Sequence, residues 1–286
     1  MRFYTLDING KETPAVSLDG GKNIYTLSSC GADAADLNEL IRNMPEHIEI
    51  PESAEPVSDP VMLAPIVRPR QDVICLGINY DEHAKEAGRF SSEAFGGERP
   101  YTIYFSKRVS RAWGTGEVIP SYQGLVDSLD YECELGVILK DDTFSVSAEE
   151  AEAHIFGYTI INDISARNLQ TRHKQWYLGK SLDGFTPMGP CIVTPDEIGD
   201  AKALRIRCSV NGEKRQDSNT RYMIQTVAGA IAELSAGMTL QAGTIIATGT
   251  PAGVGMGMKP PCFLKPGDAV ECEIENIGKL VNTIGA

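Results

Sequence analysis

Three carboxylates stand at the ends of two apolar runs: Glu132 and Glu134 in YECELGVIL, and Asp163 at the close of FGYTIIND. The first run reads as a strand from its apolar and β-branched content. Residues i and i+2 of a strand point to one face, so Glu132 and Glu134 project together, about 7 Å apart at Cα from a rise of ~3.3 Å per residue. Like charges held that close raise each other's pKa unless a positive charge sits between them. A hard cation with oxygen ligands, Mg²⁺, Mn²⁺ or Ca²⁺, is the usual counterweight. A plain solvated strand face carries the same Glu-x-Glu pattern, so the pair alone leaves both readings open.

Other reactive groups lie around these acids. His83 and Glu86 in NYDEHAKEAG are three apart, which on a helix sets them on one face. A carboxylate beside an imidazole raises its basicity and fixes its orientation, as a general base requires; an ordinary surface pair has the same spacing. Arg167 and Gln170 repeat the interval just after Asp163. Arginine is the natural bidentate partner of a substrate carboxylate, or of a surface acid. Lys180, in WYLGKSLDGFTPMGP, lies in an uncharged stretch beside aromatic residues, where a partly buried lysine needs a partner. The glycine-rich TGTPAGVGMGMKPP reads either as a flexible loop or as a nest of backbone N–H groups for a carboxylate, with Thr248 and Thr250 adding hydroxyls. It lacks the dinucleotide glycine spacing. The triplet Gly179-Lys180-Ser181 lacks the first glycine of a phosphate loop, because position 174 is lysine.

These residues must be carried by a sheet-rich framework. Strands are expected at Arg2–Ile8, Ile24–Leu27, Thr102–Phe105, Tyr131–Leu139, Gly157–Ile161, Cys191–Thr194, Leu204–Val210, Thr244–Thr248, Ala269–Ile274 and Lys279–Thr283, with another in DVICLGINY. Helices are expected at Asp33–Asn43, capped by Asp33, in DEHAKEAGRF, and at Ala148–His154, Ala166–Gln175 and Tyr222–Ser235. The loop SSEAFGGERP reads as a mobile segment, and Asn211-Gly212 as a hairpin turn. Strands and helices do not alternate regularly, which points to an α+β fold dominated by mixed sheet. A proline-rich connector near Pro51–Pro69 divides a small N-terminal accessory domain, residues 1–70, from a larger one, residues 71–286.

Composition narrows the partners. The chain has 286 residues and a net charge of −13, with no Lys/Arg cluster, so a phosphate backbone would be repelled and nucleic acid is not an expected partner. An anionic substrate would need local positive charge. No apolar stretch reaches the ~20 residues of a membrane span, and the N-terminus lacks a secretory pattern, so a cytoplasmic location and no membrane partner are expected. The seven cysteines form no C-x-x-C pair and suit core positions; Cys133, alternating with the two glutamates, should face away from them.

In order, the segments GINYDEHAKEAG, YFSKRVSRAWGTGEVIP, LDYECELGVILK, GYTIINDISARNLQ, QWYLGKSLDGFTPMGP, VNGEKRQDSNT, TGTPAGVGMG and LKPGDAVECEIENIGKLVNTI resemble the fumarylacetoacetate hydrolase superfamily over roughly three-quarters of the chain, from about residue 72 onward. Leu182 stands where many members have Phe, and Asn168 where many have Asp. The resemblance implies a mixed β-sandwich-like roll, a homodimer, and a divalent cation, Mg²⁺ or Mn²⁺, on Glu132, Glu134 and Asp163. It implies that His83 and Glu86 lie on a lid and activate water, that Lys180 polarises the substrate, and that Arg167 and Gln170 lie in the pocket; Thr250 is added as a hydroxyl toward the substrate. Specificity would come from the lid, Phe90–Pro100, and the pocket wall. The expected activity is hydrolysis of a C–C bond in an acylpyruvate-type 2,4-dioxo acid through a metal-stabilised enolate. The same platform would serve an oxaloacetate-type decarboxylase or an isomerase of hydroxy-dienedioates. A non-catalytic small-molecule binding protein is the alternative of another class.

Overall fold

Ten strands share one mixed sheet in the computed structural model, which describes residues 1–97 and 100–286. Across the sheet they run Tyr25–Thr26, Lys11–Ser17, Arg2–Ile8, Met188–Val193, Ile155–Asn162, Cys133–Leu139, Ile245–Ala247, Val73–Gly77 and Ile103–Lys107, with Val61–Met62 beside Arg2–Ile8. Neighbours are antiparallel apart from Ile245–Ala247 with Val73–Gly77. A second sheet orders Glu213–Asn219, Arg205–Val210, Ala269–Ile274, Gly278–Ile284 and Val118–Ile119. Mixed sheets with few helices give the expected α+β class.

The strand Cys133–Leu139 is buried along its whole length, which explains its nearly continuous apolar run. Cys133, Leu135, Val137 and Leu139 pack with Cys208, Val270 and Cys272 of the second sheet. Ile138 belongs to the opposite core, with Phe3, Leu40 and Val73. Each fully buried aliphatic contributes about 1.5–3 kcal/mol, so the register of this strand is strongly held. By parity, Glu132 and Glu134 lie on the Ile138 face, away from Cys133. At the sheet edge, Ile103, Phe105 and Lys107 form a second i, i+2, i+4 stripe.

Several elements depart from expectation. The first helix is Leu37–Arg42, and its cap is Asp36, whose side chain accepts Glu39 N–H at 2.8 Å; Asp33 lies outside it. The Ile24–Leu27 strand shrinks to Tyr25–Thr26, after which Thr26 caps a 3₁₀ turn over Leu27–Cys30. The segment Ala148–His154 starts as α-helix over Ala148–Ala151 and ends as 3₁₀ over Glu152–His154. The helix expected from Ala166 to Gln175 spans Arg167–Arg172, and that from Tyr222 spans Val227–Ser235, where Thr226 is the cap. In the expected loop, Ser92–Phe95 is helical, capped by Ser91. The two longest strands that were not foreseen have seven residues each. Lys11–Ser17 follows an Asn9-Gly10 turn with both φ values positive, and Glu213–Asn219 is a polar edge strand. Because Arg2–Ile8 pairs with Met188–Val193, the N-terminal strands continue the main sheet.

Candidate active site

Asp163 follows the strand Ile155–Asn162, whose partner is the Glu134 strand, in a register that sets Glu134 opposite Ile161. The bond from Asp163 N–H to Glu132 O, 2.8 Å, brings the first and third carboxylates together. One ligand oxygen from each of Glu132, Glu134 and Asp163 lies within 4.8 Å of the other two. All three side chains are buried, Asp163 completely.

Their partners differ. Lys180 Nζ donates to Glu132 Oε2 at 2.8 Å and to Asp163 Oδ2 at 2.7 Å. Lys107, fully buried, donates to Asp163 Oδ1 and to Ile164 O. Arg167 Nη2 lies 2.6 Å from Glu132 Oε1. Glu134 receives Gly249 N–H at 2.8 Å, and among the described residues no Lys, Arg or His forms an ion pair with it. The pKa directions follow. Burial works against ionised Glu132, but Lys180 and Arg167 beside it hold its carboxyl well below the ordinary range. Burial, then Asp163 and Glu132, push the Glu134 carboxyl well above it. Burial opposes the Lys180 charge, yet Asp163 and Glu132 raise its pKa above that of a free lysine.

Asp130, Glu132, Glu134 and Asp163 thus face Lys107, Arg167 and Lys180, and the uncompensated charge falls on Glu134. That imbalance, with three convergent carboxylate oxygens, fits a hard divalent ion. The triad would hold it, and Lys180, bridging two of the ligands, would share them with it.

The site's other members sit on a ring around these acids. His83, 4 % exposed, and Glu86 project from the helix Asp81–Phe90, with His83 Nδ1 at 3.8 Å from Glu86 Oε2. His83 Nδ1 is buried and has no hydrogen-bond partner among the described residues. Arg167 is engaged on every side: Nε donates to Asp130 Oδ2 at 2.9 Å, and Nη1 to Gln170 Oε1 at 2.9 Å. Its contacts therefore position Glu132 and Gln170. The Thr250 hydroxyl donates to Cys133 O at 3.0 Å and accepts from Gln216 Nε2 at 2.7 Å, so both sides of it are taken by the protein.

The glycine loop is indeed a nest, but for the protein's own carboxylates. Gly249 N–H goes to Glu134, Gly253 N–H to Glu86 at 2.9 Å, and Gly255 and Met256 N–H to Asp130 at 2.7 and 3.0 Å. Gly253 has φ +104°, and a Cβ there would lie 2.1 Å from Arg215 O. The loop thereby ties the His83 helix, the triad and Arg167 into one assembly. Sequence reasoning missed Lys107, Asp130 and Gln216. Lys107 was readable as the last member of the Ile103–Phe105–Lys107 stripe, whereas Gln216 lies on a strand with no apolar period.

A small cavity of about 20 Å³ joins these groups. His83, Glu132, Glu134, Arg167, Gln170, Lys180 and Thr250 give it a polar lining. Leu76, Phe95, Phe105 and Trp176 add an apolar one. Glu98 and Arg99, within the expected lid Phe90–Pro100, lie outside the described residues. A larger cleft of about 420 Å³, lined in part by Tyr158, Ile198 and Val227, shares no lining residue with this cavity.

The chain is similar to several known proteins. The oxaloacetate tautomerase YisK of Bacillus subtilis is 45% identical over 229 residues, 80% of this chain and 74% of that protein. The fumarylacetoacetate hydrolase structure from Exiguobacterium antarcticum superposes with a TM-score of 0.87 at 37% identity, covering 100% of this chain and 99% of that one. The 2-hydroxyhepta-2,4-diene-1,7-dioate isomerase structure from Mycobacterium marinum gives a TM-score of 0.72 at 29% identity, covering 100% and 98%. Residues 72–285 match the family model described as fumarylacetoacetate (FAA) hydrolase C-terminal, and the chain belongs to the fumarylacetoacetate hydrolase family.

Proposed function

We propose that this enzyme tautomerises a short 2-oxo acid of the oxaloacetate class between its enol and keto forms, with Mg²⁺ or Mn²⁺ on Glu132, Glu134 and Asp163. The observation that carries the reading is buried His83, which lines the same cavity as Glu132, Glu134 and Lys180 and has the Glu86 carboxylate 3.8 Å from its Nδ1. Proton transfer within a bound substrate needs an acid/base group beside the reacting atoms, which this dyad would supply. The similarity to an oxaloacetate tautomerase supports the same reading.

The bound cation would supply Lewis-acid stabilisation to a 2-oxo acid. His83 takes the proton from the enol hydroxyl and a proton is returned to C3; the O–H bond breaks, a C–H bond forms, and the C2–C3 double bond becomes C2=O. Glu86, fixed by Gly253 N–H, orients the imidazole and balances its charge. Lys180 adds positive charge at the polar end. C–C hydrolysis of an acylpyruvate is the second reading, supported by the 37% identity to a fumarylacetoacetate hydrolase; there the same dyad would deprotonate water. Decarboxylation of oxaloacetate would need no water, and isomerisation of a hydroxy-dienedioate would use the dyad as a proton shuttle. The proposal also includes a homodimer and an accessory role for residues 1–70, which light scattering and a truncation would check.

The deciding experiment follows the ultraviolet absorbance of the oxaloacetate enol with purified protein and Mn²⁺. Wild type should accelerate its decay, and His83→Ala should lose about 10²–10⁴-fold of that rate. Decay at the uncatalysed rate, together with pyruvate release from acetylpyruvate, would replace tautomerisation by hydrolysis.

A further inference from the structure

Lys180, Arg167 and His83 line the cavity together with Trp176. A Cβ on Gly77 would lie 2.5 Å from Trp176 Cζ3, so the indole rests directly on the backbone of the strand next to the sheet edge. Its ring centre is 5.3 Å from Phe105, edge to face, and 5.5 Å from Phe95. Phe105, on the neighbouring strand, lies 5.2 Å beneath Lys180 Nζ. Trp176 and Lys180 are i and i+4 around the short helix Tyr177–Lys180. One segment therefore carries both a charged group and the bulkiest apolar side chain of the cavity lining.

We propose that Trp176 sets the length of 2-oxo acid that this site accepts. The charged groups hold the carboxylate and 2-oxo end, so carbons beyond C4 run toward the indole. The indole is backed by Gly77 and Phe105 on adjacent strands and cannot retreat without shifting the sheet. The site therefore takes four-carbon 2-oxo acids and excludes longer acyl chains. This rests on the 2-oxo acid reading above but not on tautomerisation.

The test measures two things on the full chain with Mn²⁺: calorimetric binding of 2-oxo acids of increasing tail length, and kcat/KM for enol-oxaloacetate. Wild type should bind four-carbon acids at least tenfold more tightly than six- to eight-carbon ones. Trp176→Leu should shift that ratio at least tenfold toward the longer acids, the scale expected when one to two methylenes gain room in an apolar pocket. Trp176→Phe, with its smaller ring, should shift it less and covers the case in which the leucine variant fails to fold. An unchanged length ratio with uniformly weaker binding in both variants would reduce Trp176 to a structural role and overturn the proposal. Wild-type preference for long chains, or no binding of any 2-oxo acid, would also overturn it. A ratio that shifts while oxaloacetate is never turned over would uphold the role of Trp176 and refute tautomerisation.

Discussion

The floor of the site hangs on two adjacent central strands, Cys133–Leu139 and Ile155–Asn162, whereas His83 and Glu86 hang on a helix at the margin of the molecule. The floor is held by buried ion pairs among Lys107, Asp163, Lys180, Glu132, Arg167 and Asp130. The helix is held by a small apolar cluster, Ile78, Ala87, Phe95, Val254 and Met256, and by the hydrogen bond from Gly253 N–H to Glu86. Charge must be in place before a substrate arrives, because its desolvation cost is met by folding. Under the proposed function, a helix that carries the acid/base group and covers the site would have to move, which suits a weakly held part of the fold.

Lys107→Met attacks the floor. It leaves buried Asp163 short of a counter-charge and should destabilise the protein by about 3–5 kcal/mol in urea unfolding. A loss below ~1 kcal/mol would mean that Lys180 alone satisfies Asp163. His83→Ala attacks the helix Asp81–Phe90. Turnover should fall about 10²–10⁴-fold while the unfolding midpoint moves little; a stability loss matching that of Lys107→Met would erase the contrast between the two regions.

Glu132 and Glu134 sharpen it within the floor. The lowered Glu132 carboxyl contributes stability above the ordinary carboxylate range, which is lost as pH falls toward its folded value. The raised Glu134 carboxyl acts in the opposite sense: the metal-free protein loses stability as pH climbs from the ordinary range to its folded value. Glu134→Gln should flatten that decline in a pH series of melts. Mn²⁺ at a hundred times its Kd should add about 2.7 kcal/mol to wild type and distinctly less to the variant. The smallest effect lies outside both regions. Asp36→Ala removes a helix cap, should cost about 1 kcal/mol, and should leave turnover unchanged.

Much of the reactive set was legible because short spacings encode it. Glu132 and Glu134 two apart on a strand, and His83 and Glu86 three apart on a helix, share faces whatever the rest of the chain does. Lys107 extends the Ile103–Phe105 face, but it lies two residues past the expected strand end and beside Arg108, so spacing alone did not mark it as buried. Asp36 took the cap from Asp33 because Glu39, three residues on, also reaches back to Ala35 N–H at 2.7 Å. The hairpin strand Lys11–Ser17 was hidden by Pro14 and by charges at its start, although Asn9-Gly10 announces the turn.

By itself the sequence determined the α+β class, the strand carrying the two glutamates, and the set of groups available for chemistry, because periodicity and spacing are local properties. Only the tertiary structure decided which charges meet. Asp163, Lys107, Arg167 and Lys180 converge on those glutamates from separate elements, leaving Glu134 as the unpaired acid. The glycine loop serves the protein's own carboxylates, and Trp176 becomes a wall because Gly77, almost a hundred residues away, leaves room for it. Buried charge is balanced pair by pair at contact distance, and contact between distant segments follows from strand order and register.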